Sequence, residues 1–138
     1  MNTNRPEISK ETILKASEII AGRVEGIASE IASCYHLYID GYELAKKLES
    51  TYFWDVDFQV IEELENMHNE VESIHKKVCM QWVIDDQITP PLEIGTKIKQ
   101  GVINGVYGHD AAMYKVTKYG ETMKGRHQVI RFEDAVAI

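Results

Sequence analysis

The sequence predicts an α+β fold: an N-terminal long-helix module of three helices over residues 1–89, then a small twisted antiparallel β-sheet or SH3-like barrel over residues 90–138. Three observations carry this. Apolar residues before Pro90-Pro91 recur at the helical steps of three and four. After the prolines, Gly95, Gly101, Gly105 and Gly108 cut short apolar runs rich in Val and Ile, as turns and bulges cut strands. The sign of the charge also changes: residues 1–89 carry 8 Lys+Arg against 17 Asp+Glu (−9), and residues 90–138 carry 7 against 5 (+2).

Ser9 is placed to cap a first helix running to about Tyr38. Ile13, Ile20, Val24, Ile27, Ile31, Cys34 and Tyr38 follow one another along it at a spacing close to 3.5 residues, that of a seam shared by two helices. A helix of about 30 residues spans roughly 45 Å, more than a small domain needs, so the seam predicts a homo-oligomer built through long helices. Packing against a later helix of the same chain is the alternative. Gly22 and Gly26 each cost a helix about 1 kcal/mol relative to alanine, which calls for a close neighbour. Arg23 lies between them with no carboxylate three or four residues away. It reads as a surface arginine, as one paired with an acid of another helix, or as an anion ligand at an oligomer interface.

Asp40, with Glu43 three residues on, forms a capping box opening a short second helix through Leu44 and Leu48. Tyr52, Phe53 and Trp54 then form an aromatic connector expected to plug the end of the core. A third helix starts at Asp55 or Asp57, carries Val60, Leu64, Met67, Val71, Ile74 and Val78, and ends by about Gln87. On its flank Glu65, His68, Glu72 and His75 share one face. Di-iron bundles spread such Glu/His pairs over several helices, so a solvated flank is the simpler reading here and a metal site the sharper one.

In the β module, strands are expected near Thr96–Lys99, Gly101–Tyr107, Ala111–Lys118 and His127–Asp134. Asn104-Gly105 reads as a hairpin turn or as a bulge within one longer strand. Ala112, Tyr114 and Val116 alternate, as do Ile130 and Phe132, so Arg131 faces away from its apolar neighbours. Arg126, Arg131 and His109 are the candidate ligands for an anion, because arginine donates parallel hydrogen bonds to phosphate oxygens. Tyr107 or Tyr114 could stack on a base, worth roughly 1–3 kcal/mol. Solvated edges and ion pairs, such as Arg131 with Glu133, are the plainer reading.

Composition narrows the classes. Of 138 residues, 44% are hydrophobic, enough for a packed core, so disorder is expected only from Met1 to Arg5 and around Gly120 to Gly125. A net charge of −7 argues against non-specific nucleic-acid binding. No run approaches the roughly 20 apolar residues of a membrane span, and no signal peptide is seen. Cys34 and Cys79 read as buried reduced thiols of a cytoplasmic protein. No GxxxxGK[ST] loop and no Ser–His–Asp pattern is found, so neither catalysis nor a cofactor is expected.

The run Pro90-Pro91-Leu92-Glu93-Ile94-Gly95-Thr96, with Gly101-Val102-Ile103, Ala112-Met113-Tyr114-Lys115-Val116 and Val129-Ile130-Arg131-Phe132-Glu133-Asp134, resembles the C-terminal part of small proteins of tailed phages. It also resembles, over about the last fifty residues, the Thoeris anti-defence proteins of the first type. The resemblance implies a phage counter-defence sponge that sequesters a cyclic nucleotide immune signal, uncleaved, and assembles through helices. None of that family's ligand residues aligns one by one with this chain. The alternative is an acidic inhibitor of the anti-CRISPR kind, whose Glu62, Glu63, Glu65, Glu70 and Glu72 would imitate phosphates. A metal-dependent nucleotide hydrolase on the histidine-bearing helix is a third reading.

Overall fold

The computed structural model describes residues 4–120 and 127–138. Among these lie five α-helices, a four-stranded antiparallel sheet and one 3-10 turn, an α+β architecture. The chain divides into two compact units: Glu7–Lys77, and Val78–Ile138 together with the segment through Pro6. The division thus falls inside a helix rather than at Pro90-Pro91.

The helical unit holds α1 (Lys10–Val24), α2 (Ala28–Cys34), α3 (Gly41–Tyr52), α4 (Phe58–Glu65) and the first part of α5 (Met67–Asp85). Two of the three expected helices are therefore broken. Ser9 caps α1 as read, accepting from Thr12 N–H at 3.2 Å. The helix then stops early: Glu25 adopts left-handed backbone at φ 57°, and Gly26 N–H returns to the Ala21 carbonyl at 3.0 Å, the bond that closes a Schellman motif. A Cβ on Gly26 would lie 2.3 Å from the Trp54 ring, so the indole fills the corner where a continuous helix would run. The second break is slighter. At Asn66 one turn tightens, with Asn66 N–H reaching the Glu63 carbonyl at 3.1 Å, before α5 begins.

These breaks change what the apolar seam does. Ile20, Ile31, Leu44, Leu48, Leu64, Met67 and Val71 are buried together in one core, but Ile27 and Tyr38 are 57% and 86% exposed. Of the aromatic connector only Trp54 packs on that core, its Nε1 donating to Glu30 at 2.8 Å. Phe53 is outside, at 88% exposure.

The second unit holds the end of α5, then β1 (Lys97–Ile98), β2 (Gly101–Val106), β3 (Met113–Thr117), β4 (Gln128–Arg131) and the 3-10 turn Phe132–Asp134. The strands form a meander in the order β1-β2-β3-β4. Asn104-Gly105 is the bulge, not the turn: the β2–β3 register shifts between Ile103 and Gly105. The extra residue lets Ile103 and Val106, three apart, pair with Val116 and Tyr114, two apart, across the ladder. Trp82, Ile98, Ile103, Tyr114, Val116, Ile130 and Phe132 make the core of this unit. The chain's end returns to its first strand, through a bridge between Ile98 and Ala137 and a 3.1 Å bond from Ile138 N–H to the Lys97 carbonyl.

Met1 to Thr3 lie outside the described residues, whereas at Arg5 the expectation of disorder is corrected. Its Nε and Nη2 donate to the two Glu133 oxygens at 2.8 and 3.0 Å. Nη1 and Nη2 donate to the carbonyls of Ala111 and Ala112 at 2.7 and 2.9 Å. The guanidinium also lies 5.3 Å from the centre of the Trp82 ring. The segment before α1 is thereby clasped to the β2–β3 connection. The Gly120–Gly125 expectation falls, beyond Gly120 itself, outside the described residues.

Candidate functional site

Cross-strand partners in an antiparallel ladder point to the same face. The pairs Val106–Tyr114–Ile130 and Ile103–Val116 form the face that meets the core. Met113 pairs with Arg131, and Tyr107 N–H donates to the Met113 carbonyl at 2.8 Å. Tyr107, Met113 and Arg131 therefore form one row across three strands on the opposite face. The next row on that face is Gly105, Lys115 and Val129. A Cβ on Gly105 would lie 3.1 Å from Lys115 Cε, so the lysine stem runs over bare backbone. Lys115 and Arg131 are diagonal neighbours, a pairing that separates residues by about 7–8 Å and keeps long side chains within reach of one another.

The Tyr107 ring is half-buried and meets two imidazoles: His109 edge-on at 5.4 Å between centroids, and His127 at 6.4 Å. Arg131 is exposed, and no carboxylate among the described residues pairs with it. The ion pair expected between Arg131 and Glu133 is absent because Arg5 occupies both Glu133 oxygens. The Arg5 hydrogen bonds foremost, then the Glu133 backbone N–H, with Arg131 adding least, hold the Glu133 carboxyl below the ordinary glutamate range. The face thus offers a guanidinium, an ammonium, two imidazoles and a phenol ring, the groups that hold an anion joined to a planar ring.

Of the sequence candidates, Tyr107, His109 and Arg131 come together here. Tyr114 does not. It is fully buried, with its ring 4.4 Å from that of Phe132 and its hydroxyl accepting from Leu92 N–H at 2.8 Å. No side of its ring is left for a base, and burial pushes its hydroxyl pKa up. Arg23 belongs to the helical unit, where its guanidinium lies 3.7 Å from Glu63 and 3.3 Å from Glu70. Its neutralising acids come from α4 and α5, as the paired reading expected. Arg126 lies outside the described residues. Lys115 was not among the candidates: within β3 it is one polar residue between apolar ones, and only the ladder to β4 places it beside Arg131.

The acidic stripe is largely engaged inside its own unit. Glu63 and Glu70 hold Arg23, Glu65 accepts from Gly41 N–H at 2.5 Å, and Glu72 lies 3.1 Å from His68 Nε2. Among the described residues no three acidic, histidine or cysteine side chains converge as a metal site would require. Nor is any helix among them long and apolar enough to cross a membrane. Cys34 and Cys79 are both buried, and neither is joined in a disulfide among the described residues. The chain matches no family model, no curated protein and no solved structure.

Proposed function

We propose that this chain is a binding protein of the phage counter-defence kind, which sequesters a cyclic nucleotide signal on the outer face of its sheet and does not cleave it. The observation that carries the reading is the row Tyr107–Met113–Arg131 with Lys115 diagonal to it. Cations for phosphate and a ring for a base lie on one rigid surface, and Arg131 is exposed rather than spent on an internal acid. The resemblance of the C-terminal run to Thoeris anti-defence proteins supports the same ligand class. We read the sheet as an SH3-like barrel, supported by the Ile98–Ala137 bridge and by the 3-10 turn before it. Self-assembly would use apolar side chains exposed on the helical unit, such as Phe53 and Phe58 at 88% and 75% exposure.

The inhibitor reading is weaker on the same geometry. A phosphate mimic needs free carboxylates in a row, and Glu63, Glu65 and Glu70 are engaged within the helical unit.

The test is calorimetric titration with a panel of cyclic mono- and dinucleotides, followed by denaturation and recovery of the bound molecule. Intact ligand is expected, with Arg131→Ala weakening binding at least tenfold, since a hydrogen bond to a charged group is worth about 1.5–3 kcal/mol. Wild-type affinity in that variant would remove Arg131 from the site. Recovery of cleaved nucleotide would replace the sponge with a hydrolase.

A further inference from the structure

The two edges of the sheet end differently. β1 is covered: the chain returns to it through the Ile98–Ala137 bridge and the bond from Ile138 N–H to the Lys97 carbonyl. β4 is the last strand of the meander, and among the described residues it pairs with β3 alone. The ladder decides which of its backbone groups are engaged. Phe132 N–H donates to the Ala112 carbonyl at 3.0 Å. By antiparallel alternation the next hydrogen-bonded pairs are Tyr114–Ile130 and Val116–Gln128. Gln128 and Ile130 therefore turn their backbone groups to β3. Trans peptides send the opposite groups outward: the His127 carbonyl, both backbone groups of Val129 and the Arg131 N–H. The Arg131 carbonyl is withdrawn into the cap of the 3-10 turn Phe132–Asp134. None of the four outward groups has a hydrogen-bond partner among the described residues, and Val129 is half-buried while Arg131 is exposed.

An open edge is where another strand adds, and folded proteins shield such edges with lysine, proline or a bulge. β4 carries no lysine and no proline, and its ladder to β3 runs without a shift. We propose that this edge pairs with β4 of a second copy, antiparallel across a two-fold axis at Val129. In that register the two Val129 residues exchange both backbone bonds. Arg131 N–H of each copy donates to the His127 carbonyl of the other, so every one of the four outward groups is satisfied. Two donors and two acceptors are thus their own complement about Val129, which commits the edge to a second copy rather than to a foreign strand. Like charges also stay apart. Val129 lies between Lys115 and the axis, so the two lysines are three strand spacings apart, about 14 Å, beyond the screening length of about 8 Å. The two Arg131 residues are four positions apart along the strands, also about 14 Å. One sheet of eight strands results, with the outer faces of both copies side by side. The pairing does not depend on what those faces bind, and it is separate from any contact through Phe53 and Phe58.

Amide exchange of the full chain, followed by NMR from micromolar to millimolar protein, reads the edge residue by residue. In a single copy only alternate β4 amides are bonded: Gln128 and Ile130 are protected, Val129 and Arg131 are not. Pairing is expected to slow Val129 and Arg131 at least tenfold as concentration rises, with sedimentation showing a dimer over the same range and Ile130 little changed. Val129→Pro removes the outward donor and sets a ring in the second copy's place without touching the ladder to β3, a substitution that edge strands accept. Gln128 before it is already extended in the strand, as proline requires. That variant is expected to remain monomeric at millimolar concentration with Ile130 still protected. Unchanged exchange of Val129 and Arg131 across the range in the wild type overturns the pairing, as does a Val129→Pro dimer in which Ile130 stays protected. The exchange measurement uses the wild type, so it decides the matter by itself where the proline disturbs the sheet. A dimer that Phe53→Ser with Phe58→Ser dissociates, its Val129 amide unprotected throughout, places self-assembly on the helical unit and overturns the β4 edge.

Discussion

Replacing Arg5 by alanine should cost the sheet-bearing unit about 3 kcal/mol. The side chain is 9% exposed, so most of its bonding is made out of water. Its bonds to the Ala111 and Ala112 carbonyls, at 2.7 and 2.9 Å, are charge-assisted, a class worth about 1.5–3 kcal/mol each. Part of that survives, because the Ala112 carbonyl also accepts from Phe132 N–H. The Glu133 side is 41% exposed and adds about 0–1 kcal/mol after screening. The contact with Trp82 adds about 0.5–1 kcal/mol. These terms overlap, so about 3 kcal/mol is the working figure, large against a total of roughly 5–15 kcal/mol. With a urea slope of about 1–3 kcal/mol/M the midpoint should fall by about 1–3 M. Trp82 fluorescence in a Trp54→Phe background reads this unit directly. Arg5→Lys keeps the charge but not the fork, and should recover less than half of the loss. The pH dependence has a definite sign. Arg5 depresses the Glu133 pKa below the ordinary 4.5, so the pair's stability is complete above that value and is lost as pH falls through the depressed one. The gap between wild type and Arg5→Ala should narrow only in that acid range. A loss under about 1 kcal/mol in urea, or Arg5→Lys equal to wild type, would refute the clasp.

Two paired substitutions test the packing. Gly22→Ala should stabilise the helical unit by about 1 kcal/mol, the helix cost of glycine, because nothing lies within 4 Å of the added methyl. Gly26→Ala should destabilise it by about 1–3 kcal/mol, since the methyl would meet the Trp54 ring at 2.3 Å; thermal melts should rank the two on opposite sides of wild type. Tyr114→Phe should cost about 1–3 kcal/mol by stranding Leu92 N–H, whereas Tyr35→Phe should be neutral or stabilising, because the buried Tyr35 hydroxyl has no partner among the described residues. Burial raises both hydroxyl pKa values above 10.0. Their neutral forms thus add stability below that pH, which is lost as pH rises through the raised values, and each phenylalanine should flatten the alkaline limb of stability against pH.

What could be read in the sequence, and what could not, divides by the range of the interactions responsible. The strands were legible because alternation is a local pattern, and β2, β3 and β4 lie inside their expected spans. Helix ends were not, because glycine is the local sign of a left-handed terminus, and here Glu25, Phe53 and Gln87 hold that conformation at φ 57°, 60° and 51°. What enforces it at Glu25 is the Trp54 ring against Gly26, a contact no periodicity contains. The clasp was hidden for the same reason, since Arg5 is bonded to residues 106 to 128 positions away. The candidate site shows the rule within four residues. Alternation groups Tyr114 with the apolar Ala112 and Val116, and the structure buries all three, which removes Tyr114 as a base-stacking ring. The same alternation placed Arg131 outward, where it stands. The partnership of Arg131 with Lys115 and Tyr107, however, exists only across strands, and it depends on the register set by the Asn104 bulge. Were that bulge deleted, the β2 residues on one side of it would exchange faces. Deleting Asn104 should therefore either turn Tyr107 away from Arg131 or drive Ile103 out of the core. In the first outcome the binding proposed for this face is lost from a folded sheet; in the second the sheet loses stability, which makes the bulge the element that joins fold to the candidate site.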